Sequence, residues 1–345
     1  MSLTRRGFNT GGLTVGTLAL LSTAFNGRSA LGQTSRSDSP PAMETVRVAY
    51  NPGTILRLYA ALEGDLFKKH SVKVDLIRFE SGAAASAAFA SGSVDVGFTG
   101  IPGFLSSRLA GGKTRIFMIE NDSGGAEGLV VRPQSGINSI NDLSGKKIGT
   151  VIGTTSWMGL ISALQEANVD PNGVKIENVP PGAWMPALQR GDVDGIFGWS
   201  PVLFMLEGAG NKIIATMSKY RRDPLLWQGR GDFLEKKPET VNRFVAALRD
   251  ARHGIESRDE KFIARMSSET GANKAATIKT IDAIKLVDFA DQVSDASPYS
   301  LTAPSGLTAQ VNAWLGLYIE KGIFRQRPDL EDAVDPGVIR AVLKG

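Results

Sequence analysis

The 345-residue chain has no cysteine and only two histidines, His70 and His253. Without cysteine there is no thiol nucleophile, no disulfide and no N-terminal cysteine to carry a lipid, so nothing in the fold depends on redox compartment. Two isolated histidines cannot make a metal site with spaced ligands, and each is expected on the surface. Gly-x-Ser-x-Gly elbows and phosphate-binding P-loops are also missing. No apolar run reaches the ~20 residues that a bilayer-spanning helix requires. Charge of one sign is scarce as well. The formal net charge is +4, and residues 1–32 hold three arginines and no acid, which leaves the remainder near +1. No basic face is implied, and no nucleic-acid partner.

What is present begins at the N-terminus. Thr4-Arg5-Arg6-Gly7-Phe8 precedes a short apolar stretch over 11–25, and Ala30-Leu31-Gly32 sets small residues where a signal peptidase reads. A charged region, a short apolar region and a cleavage site in that order predict an export signal over 1–32, and the arginine pair points to the twin-arginine route. The mature chain is expected free in the periplasm. Ser35, Ser37, Ser39, Pro40 and Pro41 make 33–44 a disordered leader by composition.

Beyond the leader, short β-rich runs alternate with helical stretches. Strands are predicted at 46–50, 72–77, 94–98 and 116–119, with helices at 56–66, 83–90 and 103–109 between them. A second series follows, with strands at 128–131, 147–151, 174–179 and 195–198 and helices at 157–167 and 185–190. From Pro238 onward the pattern is mostly helical, and helix 239–256 presents Val241, Phe244, Val245 and Leu248 on one face. The order βαβα, twice, predicts an α/β protein of two lobes, and a ligand belongs beyond the carboxyl ends of the strands. The loops there carry small or hydroxylic residues: Thr54, Ser81-Gly82, Thr99-Gly100, Thr154-Thr155-Ser156 and Trp199-Ser200. Several open helices, where backbone N–H groups and hydroxyls bind an anion without lysine or arginine.

Several of these segments resemble the taurine, alkanesulfonate and nitrate binding-protein family. They include Glu80-Ser81-Gly82, Ala126-Glu127-Gly128-Leu129-Val130-Val131-Arg132, Leu143-Ser144-Gly145-Lys146-Lys147-Ile148 and Gly191-Asp192-Val193-Asp194-Gly195 running into Trp199-Ser200-Pro201. The resemblance runs from about Val46 to Ala247. It implies the type II periplasmic-binding-protein fold, with one lobe over 45–122 and 228–345 and the other over 123–227. The crossings would lie near 121–127 and 223–229. It further implies a monomeric solute-binding component of an ABC importer, whose partner is an inner-membrane permease, with no cofactor and no enzymatic activity. Thiamine-pyrimidine synthases share the fold, but their chemistry uses a histidine and a cysteine-rich segment, and this chain has no cysteine.

Taurine or another sulfonate is the ligand implied. The sulfonate would sit near Ser81, Gly82, Thr154 and Thr155. Glu127 or Asp223 would pair an amine, and Trp199 and Trp227 would wall the carbon chain. Trp157, Trp184 and Trp314 read as packing. Two departures point toward a larger, more apolar pocket for an alkyl or aryl sulfonate or a carboxylate. Ser156-Trp157 stands where the taurine binders carry His-Tyr, and the return crossing reads Lys219-Tyr220-Arg221-Arg222-Asp223-Pro224. Arg221 or Arg222 would then reach an anionic ligand. Nitrate, a thiamine pyrimidine precursor and a ligand-presenting sensor role stay open.

Overall fold

The computed structural model describes residues 42–345 apart from residue 83. The export signal at 1–32 and most of the leader at 33–44 lie outside the described residues. Strand β1 (Glu44–Tyr50) begins on the last residue of the expected leader. Glu44 is held there by the Thr240 hydroxyl at 2.8 Å and by Lys237 at 3.1 Å.

The first series runs β1, α1 (Leu56–Glu63), α2 (Leu66–Lys69), β2 (Val72–Arg78), α3 (Ser86–Ala90), β3 (Val96–Gly100), α4 (Ile101–Leu109) and β4 (Thr114–Asp122). The second runs β5 (Glu127–Val131), β6 (Lys147–Thr150), α5 (Thr155–Glu166), β7 (Lys175–Asn178), α6 (Trp184–Arg190), β8 (Gly195–Trp199), α7 (Val202–Gly208) and β9 (Lys212–Thr216). The chain then returns through β10 (Pro224–Arg230) to α8 (Gly231–Lys236), α9 (Pro238–Asp250), α10 (Arg252–Glu256), α11 (Glu260–Thr270) and α12 (Lys274–Ala283). It closes with β11 (Lys285–Leu286), α13 (Ala309–Glu320) and α14 (Gly337–Lys344).

Two sheets result. One has the strand order β11-β4-β10-β3-β1-β2 and the other β7-β6-β8-β5-β9. Within each, the βα repeats pair in parallel, and the crossing strands enter antiparallel: β10 between β3 and β4, β5 between β8 and β9. The return is complete at Pro224, because β10 pairs with β4 from that residue onward. The partition drawn at 228 therefore moves four residues earlier.

Helices form where apolar spacing and end chemistry agree. Helix α9 buries Val241, Phe244, Val245 and Leu248 at i, i+3, i+4 and i+7 behind Pro238, a residue that suits a first helical turn. It packs on α1, α2 and β2. The expected helix 239–256 is in fact two, divided at Ala251 into α9 and α10. Asp259 caps α11 by accepting from the amides of Lys261 and Phe262, and Gly271 ends it at φ +69°. His253 is exposed, as a surface position requires, but His70 is half-buried and bonded to Asp250 at 2.9 Å.

The two crossings are tied to each other. Asp122 Oδ1 accepts from the amides of Gly124 (3.0 Å) and Asp223 (3.1 Å), and Oδ2 accepts from the Tyr299 hydroxyl (2.7 Å). The Ser123 amide donates to the Asp223 carbonyl at 2.9 Å. The outer edge of β4 is closed by Gln292, whose amide accepts from the Ile119 N–H and donates to its carbonyl.

Candidate functional site

A cavity of about 60 Å³ lies between the strand ends of the two sheets. One water needs ~10–15 Å³ of such space, so about four to six water-sized groups fit. Nine of the twelve residues read from the sequence line it. Thr54, Ser81, Gly82, Thr99 and Gly100 come from the first lobe, and Glu127, Thr154, Thr155 and Trp199 from the second.

On the first-lobe side, two backbones converge on one hydroxyl. A Cβ on Gly82 or on Gly103 would stand 2.1 Å from Thr99 Oγ1, so only glycine allows this approach. Ser81 Oγ accepts from the Ala84 amide at 3.3 Å, shaping the turn into α3. Gly100 precedes α4 in an extended conformation, and Pro102 and Gly103 of its first turn line the cavity, where Pro102 has no N–H to offer and Gly103 does. Thr54 is more deeply engaged than a loop hydroxyl. Its Oγ1 accepts from Ser123 Oγ (3.1 Å) and its carbonyl from Asn121 Nδ2 (2.7 Å), so it joins the cavity to the crossing.

From the second lobe, α5 points its first turn at the cavity, with Thr154 as the extended residue before it. Below that turn lies Glu127, only 3% exposed. Thr155 Oγ1 donates to its Oε1 at 2.7 Å and Ser156 Oγ to its Oε2 at 2.8 Å. Among the described residues, Glu127 is the one ionisable side chain in the cavity wall. Trp199, directly across from Glu127 in the β5–β8 pairing, forms the adjoining wall and packs edge-on against Trp184 at 4.6 Å.

Asp223 lies behind Glu127 rather than in the wall. It is 1% exposed, and neither of its oxygens accepts a hydrogen bond from an N–H or O–H of the described residues. Its charged neighbours are the Glu127 and Asp122 carboxyls. Burial, then the charges of Glu127 and Asp122, push the Asp223 carboxyl well above the usual carboxylate range. Burial raises Glu127 too, opposed by the bonds from Thr155, Ser156 and Asp223. Burial and like charge therefore push both carboxyls of this pair toward the protonated form.

Three expectations are corrected. Trp227 does not wall the cavity: it is fully buried in the first lobe, with Nε1 donating to Glu120 Oε2 at 2.8 Å and its ring edge-on to Phe244. Ser156 is also off the cavity surface, because its hydroxyl is spent on Glu127. Nor do Arg221 and Arg222, expected to reach an anionic ligand, line the cavity. Trp157 turns away and packs edge-on against Tyr318 at 5.6 Å, and Arg221 lies over Trp314 with Nε donating to Ser162 Oγ. Arg222 is exposed. Trp184 and Trp314 are buried packing residues, as read.

The wall also contains residues outside the predicted set. Asn51, Gly53, Pro102 and Gly153 belong to the strand-end loops already singled out. Phe98 and Leu225 were missed. Leu225 reaches the site only because β10 pairs it with Gly100, a register that no local pattern announces. The lobes meet across the cleft: a Cβ on Gly100 would be 2.6 Å from Thr155 Cγ2, and one on Gly53 would be 3.9 Å from the Ser200 carbonyl.

Comparison with known proteins places this geometry. The chain is 32% identical over 210 residues to the taurine-binding periplasmic protein of Escherichia coli, an alignment covering 60% of this chain and 65% of that one, just under two thirds of the relative's length. The crystal structure of the periplasmic aliphatic sulphonate binding protein SsuA from Escherichia coli superposes with a TM-score of 0.71 at 21% identity, over 86% of this chain and 99% of that one. The desulfurization enzyme DszB shares the fold, at a TM-score of 0.65 and 16% identity over 87% and 99% of the two chains. The two-lobed architecture is the type II periplasmic-binding-protein fold. Residues 53–256, which supply every residue of the cavity wall except Asn51, match the family model described as NMT1/THI5 like. The chain belongs to the NMT1/THI5-like family.

Proposed function

We propose that this protein is the periplasmic solute-binding component of an ABC importer and that it captures a short aminosulfonate, with taurine the favoured ligand. One observation carries the reading: a buried carboxylate, Glu127, is the sole ionisable group among the described residues facing a cavity of about 60 Å³. A buried negative charge without a cationic partner is costly, and a ligand ammonium supplies that partner. The opposite head group finds the N-termini of α4 and α5 and the Ser81-Gly82 turn, which favour an anion. Trp199 supplies the apolar wall between the two. The taurine-binding relative supports the same reading.

The role is binding rather than turnover. Neither histidine lines the cavity, and the chain has no cysteine. Because both lobes contribute to the wall, ligand contacts are complete only when the lobes are together, so ligand shifts the population toward closure. The closed form is the state a permease would read.

The test is a thermal-shift panel on residues 33–345 with taurine, ethanesulfonate, aryl sulfonates, nitrate and aromatic carboxylates. A ligand at a hundred times its Kd stabilises the native state by about 2.7 kcal/mol. A shift with taurine and a weaker one with ethanesulfonate is expected. Stabilisation by aryl sulfonates or carboxylates with none by taurine would overturn the assignment.

A further inference from the structure

We propose that helix α13 is an interlobe latch in which Tyr318 holds the start of α5 in the closed position. The helix packs along α4 in the first lobe. Its far end reaches the second. Tyr318, fully buried, donates its hydroxyl to the Thr154 carbonyl at 2.9 Å. Its ring meets Trp157 edge-on at 5.6 Å and stacks on Phe324 at 4.9 Å. One turn earlier, Trp314 lies under the Arg221 guanidinium at 5.3 Å, and Arg221 in turn bonds Ser162 on α5. Ile323 Cγ2 comes within 3.9 Å of a Cβ built on Gly153.

Thr154 ends the cavity loop and starts α5, so a bond to its carbonyl fixes the direction of the first turn. Moving α5 away from α4 removes the acceptor of a buried hydroxyl and parts two aromatic faces, which favours closure before any ligand arrives. Tyr318 is therefore a positioning residue: it touches no ligand and acts through Thr154. It lies outside the 53–256 segment that matches the family model, so the latch is contributed by the C-terminal region.

The test is Tyr318→Phe in the mature chain, which keeps the ring and removes the bond. Stopped-flow tryptophan fluorescence with taurine and with ethanesulfonate gives the rates. The off-rate should rise about two- to tenfold with the on-rate unchanged. Trp157→Phe, trimming the same contact from the other lobe, should act in the same direction. A second readout needs no ligand. Spin labels on Lys73→Cys and Lys175→Cys, exposed positions in a chain without native cysteine, report the distance between the two sheets. The closed population of the ligand-free protein should fall in Tyr318→Phe. A folded Tyr318→Phe protein with wild-type off-rate and wild-type distances would overturn the latch. A lowered Tm with both readouts unchanged would also overturn it, leaving Tyr318 a packing residue.

Discussion

Replacing Glu127 with glutamine separates the charge of the site from its shape. The side chain keeps its size, and Thr155 and Ser156 can still bond it, so the turn at the start of α5 should hold. What disappears is the counter-charge for a ligand ammonium. Removing one partner of a buried ion pair costs about 3–5 kcal/mol, because the other charge stays buried and uncompensated. Asp223, directly behind Glu127, can give up its proton and take over part of that charge, which sets the expectation at the low end. We expect taurine to lose about 3 kcal/mol, a drop in affinity of about 150-fold at 1.4 kcal/mol per decade. Ethanesulfonate has no ammonium, and in the wild type it faces an unpaired negative charge. Its affinity in E127Q should stay within about threefold or improve. Titration calorimetry of both ligands against both proteins measures the difference, and circular dichroism checks the fold. Equal losses for the two sulfonates would refute the pairing of Glu127 with an amine.

Gly100→Ala should act on closure alone: its backbone is ordinary, but the new Cβ would lie 2.6 Å from Thr155 Cγ2 across the cleft. Affinity for taurine should fall about five- to 150-fold, an overpacking cost of about 1–3 kcal/mol, while the Tm of the ligand-free protein holds; unchanged affinity would mean that the lobes do not need to meet there. Taurine affinity should also fall as pH drops through the raised pKa of Glu127, because a proton then competes with the ammonium, whereas ethanesulfonate should not weaken. Asp223 gives a stability test with a defined sign. Its folded-state pKa lies above the unfolded value, so its contribution is complete below the usual carboxylate range and is lost as pH rises toward the folded value. The Tm of the ligand-free wild type should fall over that window, and D223N should show a flatter profile; parallel profiles would contradict a protonated Asp223. Trp227→Ala should destabilise by about 3–5 kcal/mol in urea unfolding, as a fully buried ring in the first core, whereas Trp199→Ala should mainly weaken binding.

The sequence by itself determined the two α/β series, and with them the strand-end loops where the cavity lies. Those features follow from local causes. Apolar spacing sets helix against strand, and glycine and hydroxyl residues mark the turns that open helices, as in Ser81-Gly82 and Thr154-Thr155. Glu127 was legible through the family resemblance of Ala126-Glu127-Gly128-Leu129-Val130-Val131-Arg132, which left it and Asp223 as the two carboxylates for an amine. Trp199 was legible as a strand end, while Trp227, alike in its local surroundings, was not. Only the pairing of β10 between β3 and β4 sends Trp227 into the core and Leu225 to the cavity. The fate of Ser156-Trp157 was likewise decided by distant residues. Ser156 bonds Glu127, and Trp157 meets Tyr318, 161 positions away in the chain, so neither side chain lines the cavity. The Asp223 carboxyl is pushed above its usual range only because the two crossings bring it and Glu127 into one buried place, where water cannot solvate two charges.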